Sequence, residues 1–421
     1  MATPSDFLEL DYHQVDAATT QEIIHKRLLP FADTEIFRCK IKSSRKLTLG
    51  DDVKPKYEVV LDTKGIDHAF RPGDSIGVIS INNKEEVEKL ICRLNLLEIA
   101  DKTYSLKILK NTQKKKPVLP PHIPIKGTLR DVLLKFVDIR AVPKKTFLRA
   151  LMPYCDESDR DLLKPASDLK STTYEDFITN KARTLLDMLE SLPSCNPPME
   201  RLLEHLPPLH PRFYSIASSP LREEELRFAF SLVDCGKVKG VCTGYLELIL
   251  SVENEEIEFY FRKRNDCLND FYADDCKVIL IGPGTGVAPF IGYLEDFALD
   301  RRSLSAVLYF GCRYSDKDFI YKEEMDGFLE KKVLCEINVA LSRDNKEYVQ
   351  DVIAKHGEAV ARKLMDEEYR VWICGSREMA KEVQSAIVKS FVEFGGVDEK
   401  EALELVVGMQ KRNMYVVDVW T

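Results

Sequence analysis

No apolar run in the 421 residues approaches the roughly 20 residues that a membrane-spanning helix needs. The first residues, MATPSDFLELDYHQ, lack the basic start and apolar stretch of a secretion signal. Asp6, Glu9, Asp11 and Asp16 come too early for an organelle-targeting peptide, so the cytoplasm is the expected compartment. Eleven cysteines are present, but no two stand in a CxxC pair, which removes the usual spacing of a zinc site; no metal is expected. In a reducing compartment they read as free thiols acting as small hydrophobes. There is no excess of positive charge either, and the net −8 argues against a nucleic-acid protein. Internal repeats and long low-complexity tracts are missing too.

What remains is an ordinary globular composition, 44% hydrophobic and 31% charged, in a chain long enough for two or three domains. Residues 1–30 read as a polar, extended lead-in. Strand patterning begins near Glu35 with EIFRCKIKSSRKL, YEVVLDT and RPGDSIGVIS. A proline-rich loop follows near 114–127. From Thr128 to Leu206, TLRDVLLKFV, KKTFLRALM, ARTLLDMLESL and MERLLEHL carry apolar residues at helical spacing, with prolines between them. Strands resume at RFYSIAS, LRFAFSLVD and IEFYFRK. The pattern predicts an antiparallel β-barrel over 31–268, interrupted by a helical insert at about 84–206.

From 269 onward, apolar strands alternate with helices: KVILIG, AVLYFGCR, LCEINVALS and YRVWICG, then a last strand in MYVVDVWT. That alternation predicts a parallel α/β nucleotide-binding domain over 269–421. The fold class expected is therefore α+β followed by α/β.

Several segments carry chemistry. RFYS places Arg212, Phe213, Tyr214 and Ser215 on one strand, offering a guanidinium for phosphate, aromatic plates and a hydroxyl. GVCT at Gly240, Val241, Cys242 and Thr243 is a second candidate phosphate cradle, because glycine lets the backbone approach closely. In IGPGTGVAPF, Gly284, Thr285 and Gly286 follow a buried strand and open a helix, where a diphosphate fits. The spacing is G-x-G-x-G rather than the G-x-G-x-x-G fingerprint. ALSRDNKEYVQ gathers Ser342, Arg343 and Lys346 at a strand end, a set suited to a ribose 2′-phosphate. Cys374 ends a strand at a ligand-binding sheet edge, and Trp420 stands next to the C-terminus. Each segment alone also reads as plain strand, turn or solvated surface.

In this order, the segments resemble the FAD/NADPH-binding reductase module of the diflavin reductases, built like ferredoxin–NADP reductase, from about Phe31 to Thr421. The resemblance implies an NADPH-dependent flavoprotein oxidoreductase with FAD and NADPH as cofactors. Arg212, Phe213, Tyr214 and Ser215 would hold FAD, and Gly240–Thr243 its pyrophosphate. Gly284, Thr285, Gly286, Ser342, Arg343, Lys346, Tyr348, Gln350 and Glu382 would serve NADPH. Ser215, Cys374 and Asp418 would surround the reacting rings, with Trp420 over the flavin.

Two departures stand out: CGSRE follows the last strand where the family has C-G-D, and Cys235 occupies the position of an aromatic under the adenine. Nothing in 1–34 suffices for the FMN domain that opens such reductases, and SDFLELDYHQ resembles the linker after it. The chain therefore reads either as a fragment or as a single-flavin form. In the second case the partner implied is a flavodoxin-like FMN protein in trans, within methionine synthase reactivation. A degenerate, non-enzymatic scaffold is the alternative. Between Tyr104 and Arg149 twelve Lys or Arg face only Asp131 and Asp138, a net +10. That run is either a solvated face or a docking face for an acidic partner.

Overall fold

The computed structural model describes residues 6–13, 28–168, 170–179, 183–234, 236, 238–252, 254–263 and 266–420, the side chain of Trp420 excepted. In chain order the strands are β1 Leu8–His13, β2 Phe37–Lys46, β3 Lys56–Asp62, β4 Ser75–Ile79, β5 Thr103–Ile108, β6 Lys126–Gly127, β7 Arg212–Ser215, β8 Glu225–Ser231, β9 Glu256–Phe261, β10 Cys276–Ile281, β11 Leu304–Cys312, β12 Leu334–Leu341, β13 Arg370–Ser376 and β14 Tyr415–Trp420. Two compact units result: residues up to Pro30 with Ile79–Arg212, and Phe31–Val78 with Phe213 onward. No helix among the described residues is long and apolar enough to cross a membrane.

The first unit is the helical one. Its helices include Lys84–Arg93, Leu129–Lys135, Lys145–Leu151, Glu157–Ala166, Leu185–Glu190 and Met199–Leu203. Their apolar faces, among them Leu90, Leu133, Leu148, Leu189 and Leu202, meet in one core. Thr128, Asp156 and Thr184 start three of them with side chains that accept the orphan amide hydrogens of the first turn. Residues 8–13, read from sequence as a lead-in, form β1, which pairs antiparallel along the whole of β5. Glu204 secures that strand by accepting the amide hydrogens of Phe7 and Leu8 at 2.6 and 2.7 Å.

The second unit holds two sheets. One has six strands in the order β7-β4-β9-β2-β3-β8, antiparallel where β2 meets β3 and β9 and where β3 meets β8. Just beyond β7, Ile216 bridges to Phe228 of β8, and the Ala217 amide donates to the Arg227 carbonyl at 2.7 Å, bringing the two ends of the sheet together. The other sheet has five parallel strands, β12-β11-β10-β13-β14. Its central strands are almost unbroken apolar runs because helices cover both faces.

A buried ionic seam joins the sheets. Glu295, on the helix Ala288–Asp300 after β10, accepts from the Ser219 amide and from Arg222 and Arg227, at 2.6–2.9 Å. Asp296 beside it takes the Ser219 hydroxyl and Arg302.

Candidate functional site

The glycine turn after β10 is built by close contact. A Cβ on Gly282 would lie 2.6 Å from the Gly286 carbonyl oxygen and 2.7 Å from the Phe290 ring, so no side chain fits there. Gly284 adopts φ +56°, the left-handed region that glycine enters without cost. The turn runs as a single 3-10 stretch, Gly284–Val287, before the α-helix starts at Ala288. No side chain caps it; the Gly286 amide donates to the Pro283 carbonyl at 3.0 Å, and a first turn left bare in this way suits an anion.

A cleft of about 430 Å³ opens at that edge. Pro283, Gly284, Gly311, Ser342, Tyr348, Gln350, Ser376 and Glu382 wall it. Four residues singled out by sequence for NADPH, Ser342, Tyr348, Gln350 and Glu382, thus meet in one place with Gly284. Gln350 donates to Glu382 at 2.6 Å, tying two of them together. Tyr348 is 54% exposed, an aromatic face open for stacking. Arg343 and Lys346 are exposed and stand outside the wall, Lys346 in left-handed backbone at φ +57°. They sit as mobile-length cations beside Ser342, not as a preformed clamp. Gly286 is buried, and Thr285 reaches the Ser231 hydroxyl at 3.4 Å.

Sequence reasoning missed Lys56, Arg313, Asp318, Glu347 and Glu378, which also wall the cleft. Lys56 and Asp318 come from distant segments and form a buried ion pair of 3.1 Å. Only a prediction of strand order would have joined them.

The flavin-side candidates gather in the six-stranded sheet. Gly240 to Thr243, the second candidate phosphate cradle, are the cap and first turn of a helix, Val241–Leu250. Gly240 has no side chain to cap that helix, and a Cβ there would meet Thr243 Oγ1 at 2.8 Å and Val233 Cβ at 3.0 Å. The result is a bare helix start at which Val241 and Cys242 offer backbone hydrogens, suited to a pyrophosphate. The Tyr214 hydroxyl lies 3.4 Å from the Cys242 sulfur, which places the RFYS strand against this cradle. Tyr214 packs on Phe228 and Phe230. Phe213 points to the other face, toward Phe31, Tyr260 and the Arg262 guanidinium, 4.7 Å from its ring. Arg212 is exposed and donates to the His210 carbonyl at 2.8 Å. Ser215 is half-buried.

Cys374 and Asp418 are opposite each other in the β13–β14 register. Burial, with Asp418 beside it, pushes the Cys374 thiol well above its usual range, so it stays neutral. Burial also raises the Asp418 carboxyl, while Arg262 pulls the other way. Arg262 is a further residue that sequence reasoning missed. The backbone of Trp420 ends β14 opposite Ser376, while its side chain, like all of Cys235, lies outside the described residues. At CGSRE, Ser376 caps the helix Arg377–Gly395 by accepting the Met379 amide hydrogen at 3.2 Å, so the missing acid of C-G-D is replaced by a serine cap.

Two stretches of the chain match known families. Residues 29–245 match the FAD binding domain model, and residues 280–385 match the oxidoreductase NAD-binding domain model. The chain belongs to this FAD-binding family. Among its relatives, methionine synthase reductase of Homo sapiens is 35% identical over 92% of this chain and 61% of that protein. Methionine synthase reductase of Mus musculus is 34% identical over 100% of the chain and 65% of that protein. NADPH–cytochrome P450 reductase of Musca domestica is 32% identical over 93% and 60%. The chain spans about three fifths of the length of these relatives. FAD and a nicotinamide dinucleotide are the cofactors of its two domains. The Gly240 cap and the Gly282–Gly286 turn, each lying within a matched stretch, suit the diphosphate that each of those two cofactors carries.

Proposed function

We propose that the chain is an NADPH-dependent flavoprotein reductase that takes hydride from NADPH and passes electrons to a separate acceptor. The single observation that carries this reading is the uncapped glycine turn at Gly284, opening on a cleft walled by Ser342, Tyr348 and Gln350. We read residues 31–268, less the insert at about 84–206, as a closed FAD barrel, supported by the Ile216–Phe228 bridge. Residues 269–421 are read as the NADPH domain.

Bound NADPH supplies the hydride and FAD holds the two electrons. The chain's own residues bind and orient. The Gly240 cap and Arg212 hold the flavin's pyrophosphate, and Tyr214 and Ser215 its ring system. Asp418 favours the positive charge that grows on the nicotinamide as hydride leaves, and neutral Cys374 packs beside it. Arg343 and Lys346 take the 2′-phosphate, with Tyr348 on the adenine. The acceptor is a flavodoxin-like FMN protein, and the role is methionine synthase reactivation, a reading supported by the relatives' names.

Anaerobic titration of the purified chain with NADPH tests this. A flavin spectrum bleached stoichiometrically, with FAD alone released on heating, is the expected result; absence of bound flavin sinks it. Arg343→Glu should lower kcat/KM for NADPH roughly 10- to 100-fold while leaving NADH nearly unchanged, since a charge-assisted hydrogen bond is worth about 1.5–3 kcal/mol. An unchanged NADPH/NADH ratio would remove the 2′-phosphate assignment.

A further inference from the structure

We infer that Lys56, on a strand of the flavin-side sheet, is a phosphate-binding residue of the dinucleotide cleft, held in readiness by Asp318. This inference rests on the cleft being the dinucleotide site proposed above.

Lys56 starts β3 and is 7% exposed, an unusual place for an ammonium. It walls the cleft beside Gly284, and a Cβ built on that glycine would stand 3.6 Å from the Lys56 Cε. Its neighbour across the sheet in register is Ser231, whose hydroxyl meets Thr285 at 3.4 Å. Two adjacent residues of the β3–β8 pair thus face the same turn, Gly284 and Thr285, whose amide hydrogens are uncapped.

The ammonium has three hydrogens. Among the described residues one partner is found for it, Asp318 Oδ2 at 3.1 Å. The other oxygen of Asp318 is committed to the loop, accepting the amide hydrogens of Arg313 and Tyr314 at 2.9 and 2.8 Å. Asp318 is therefore fixed by its own loop, and it fixes the lysine at the cleft wall with two hydrogens to spare. A buried ammonium with spare donors next to an uncapped glycine turn is matched by a diphosphate. Because Lys56 belongs to the flavin-side sheet, the contact would also set where the dinucleotide lies relative to that sheet.

A plain structural tether is the competing account, and the two differ in sign. If the pair only tethers, Lys56→Met and Asp318→Asn both break it and both weaken nucleotide binding. If Lys56 reads phosphate, Lys56→Met removes the cation, whereas Asp318→Asn keeps the acceptor for the loop amides and releases the full charge to the ligand. The probes are NADP+ and adenosine 2′-monophosphate, which lacks the diphosphate, titrated calorimetrically into the FAD-loaded full chain.

Lys56→Met should weaken NADP+ roughly 10- to 100-fold, the loss expected of one charge-assisted hydrogen bond, and leave adenosine 2′-monophosphate within about twofold. Lys56→Arg should restore most of the NADP+ affinity, and Asp318→Asn should hold or raise it. The double variant Lys56→Met, Asp318→Asn leaves no unpaired buried charge; it should still lose NADP+, which keeps the test valid if Lys56→Met does not fold. Equal losses for both probes, or a loss in Asp318→Asn matching that in Lys56→Met, overturn the inference. Wild type binding neither probe would instead overturn the dinucleotide reading of the cleft.

Discussion

Asp418 and Cys374 carry the most perturbed chemistry at the end of the parallel sheet. A carboxyl whose folded pKa is raised favours the folded state while protonated, and that contribution is lost as pH rises through the raised value. Above it, the ionised group opposes folding. Asp418→Asn removes the ionisation, so it should raise the melting temperature at pH 8, and its advantage should shrink as pH is lowered toward the ordinary carboxylate range. Melting curves of both proteins across that range check this. A constant difference at every pH would show that Arg262 fully compensates the charge. On the function proposed above, in which the carboxylate favours a cationic nicotinamide, the same substitution should also slow hydride transfer. Loss of rate with a gain in stability is the pattern expected of a group placed for function rather than for packing.

Among the elements, the glycines divide by what surrounds them. Gly282→Ala drives a methyl into the Gly286 carbonyl and Phe290, backbone and ring that lie inside the packed turn. It should cost about 1–3 kcal/mol, the usual range for overpacking, and weaken dinucleotide binding with it. Gly327, inside the helix Lys322–Glu330, has nothing within 4 Å of its missing Cβ. Gly327→Ala should add up to about 1 kcal/mol through helix propensity alone. Chemical denaturation of the two variants beside wild type checks both signs. A stable Gly282→Ala would mean that the turn relaxes freely and is not a shaped cradle.

Across the whole chain, the +10 run from Tyr104 to Arg149 is far less basic in space than in sequence. Lys107 pairs with Asp11, Arg130 with Glu88 and Asp101, Lys135 with Asp131, and Arg140 with Glu86. Lys145, one of the more prominent charges by sequence, donates to the carbonyls of Asp168 and Ser171 and lies over the Tyr174 ring. Replacing Lys145 would disturb the fold, so it is unsuited to probing docking. Lys110, Lys115, Lys116, Lys126 and Lys144 are exposed and form no ion pair among the described residues. Lys110, Lys115 and Lys116 share one loop. Changing these three to Glu should slow reduction of an acidic flavodoxin at low ionic strength and flatten its salt dependence, because steering fields are screened over about 10 Å at 0.1 M salt. Stopped-flow rates across ionic strength measure it. Identical salt curves for the two proteins would leave the run as a solvated face.

The order of strands and helices, the glycine turn after β10 and the RFYS strand are legible in the sequence because each is local. Apolar alternation, helical spacing and glycine clusters encode backbone shape within a few residues. The sequence shows Gly240–Thr243 as a phosphate cradle but not the helix Val241–Leu250 that it opens, and the extended 8–13 segment shows no sign of its partner, β5. Lys56 and Asp318, 262 residues apart, meet only because β3 lies beside β8 and β8 faces the glycine turn. The same holds for Arg262 near Asp418 and for Glu295 under Arg222 and Arg227. Pairing of distant charges depends on strand order and sheet packing, which no local pattern carries. The sequence by itself therefore determined which cofactor-binding elements this chain has. Only the tertiary structure decided which charges are spent on holding it together and which remain to face a ligand.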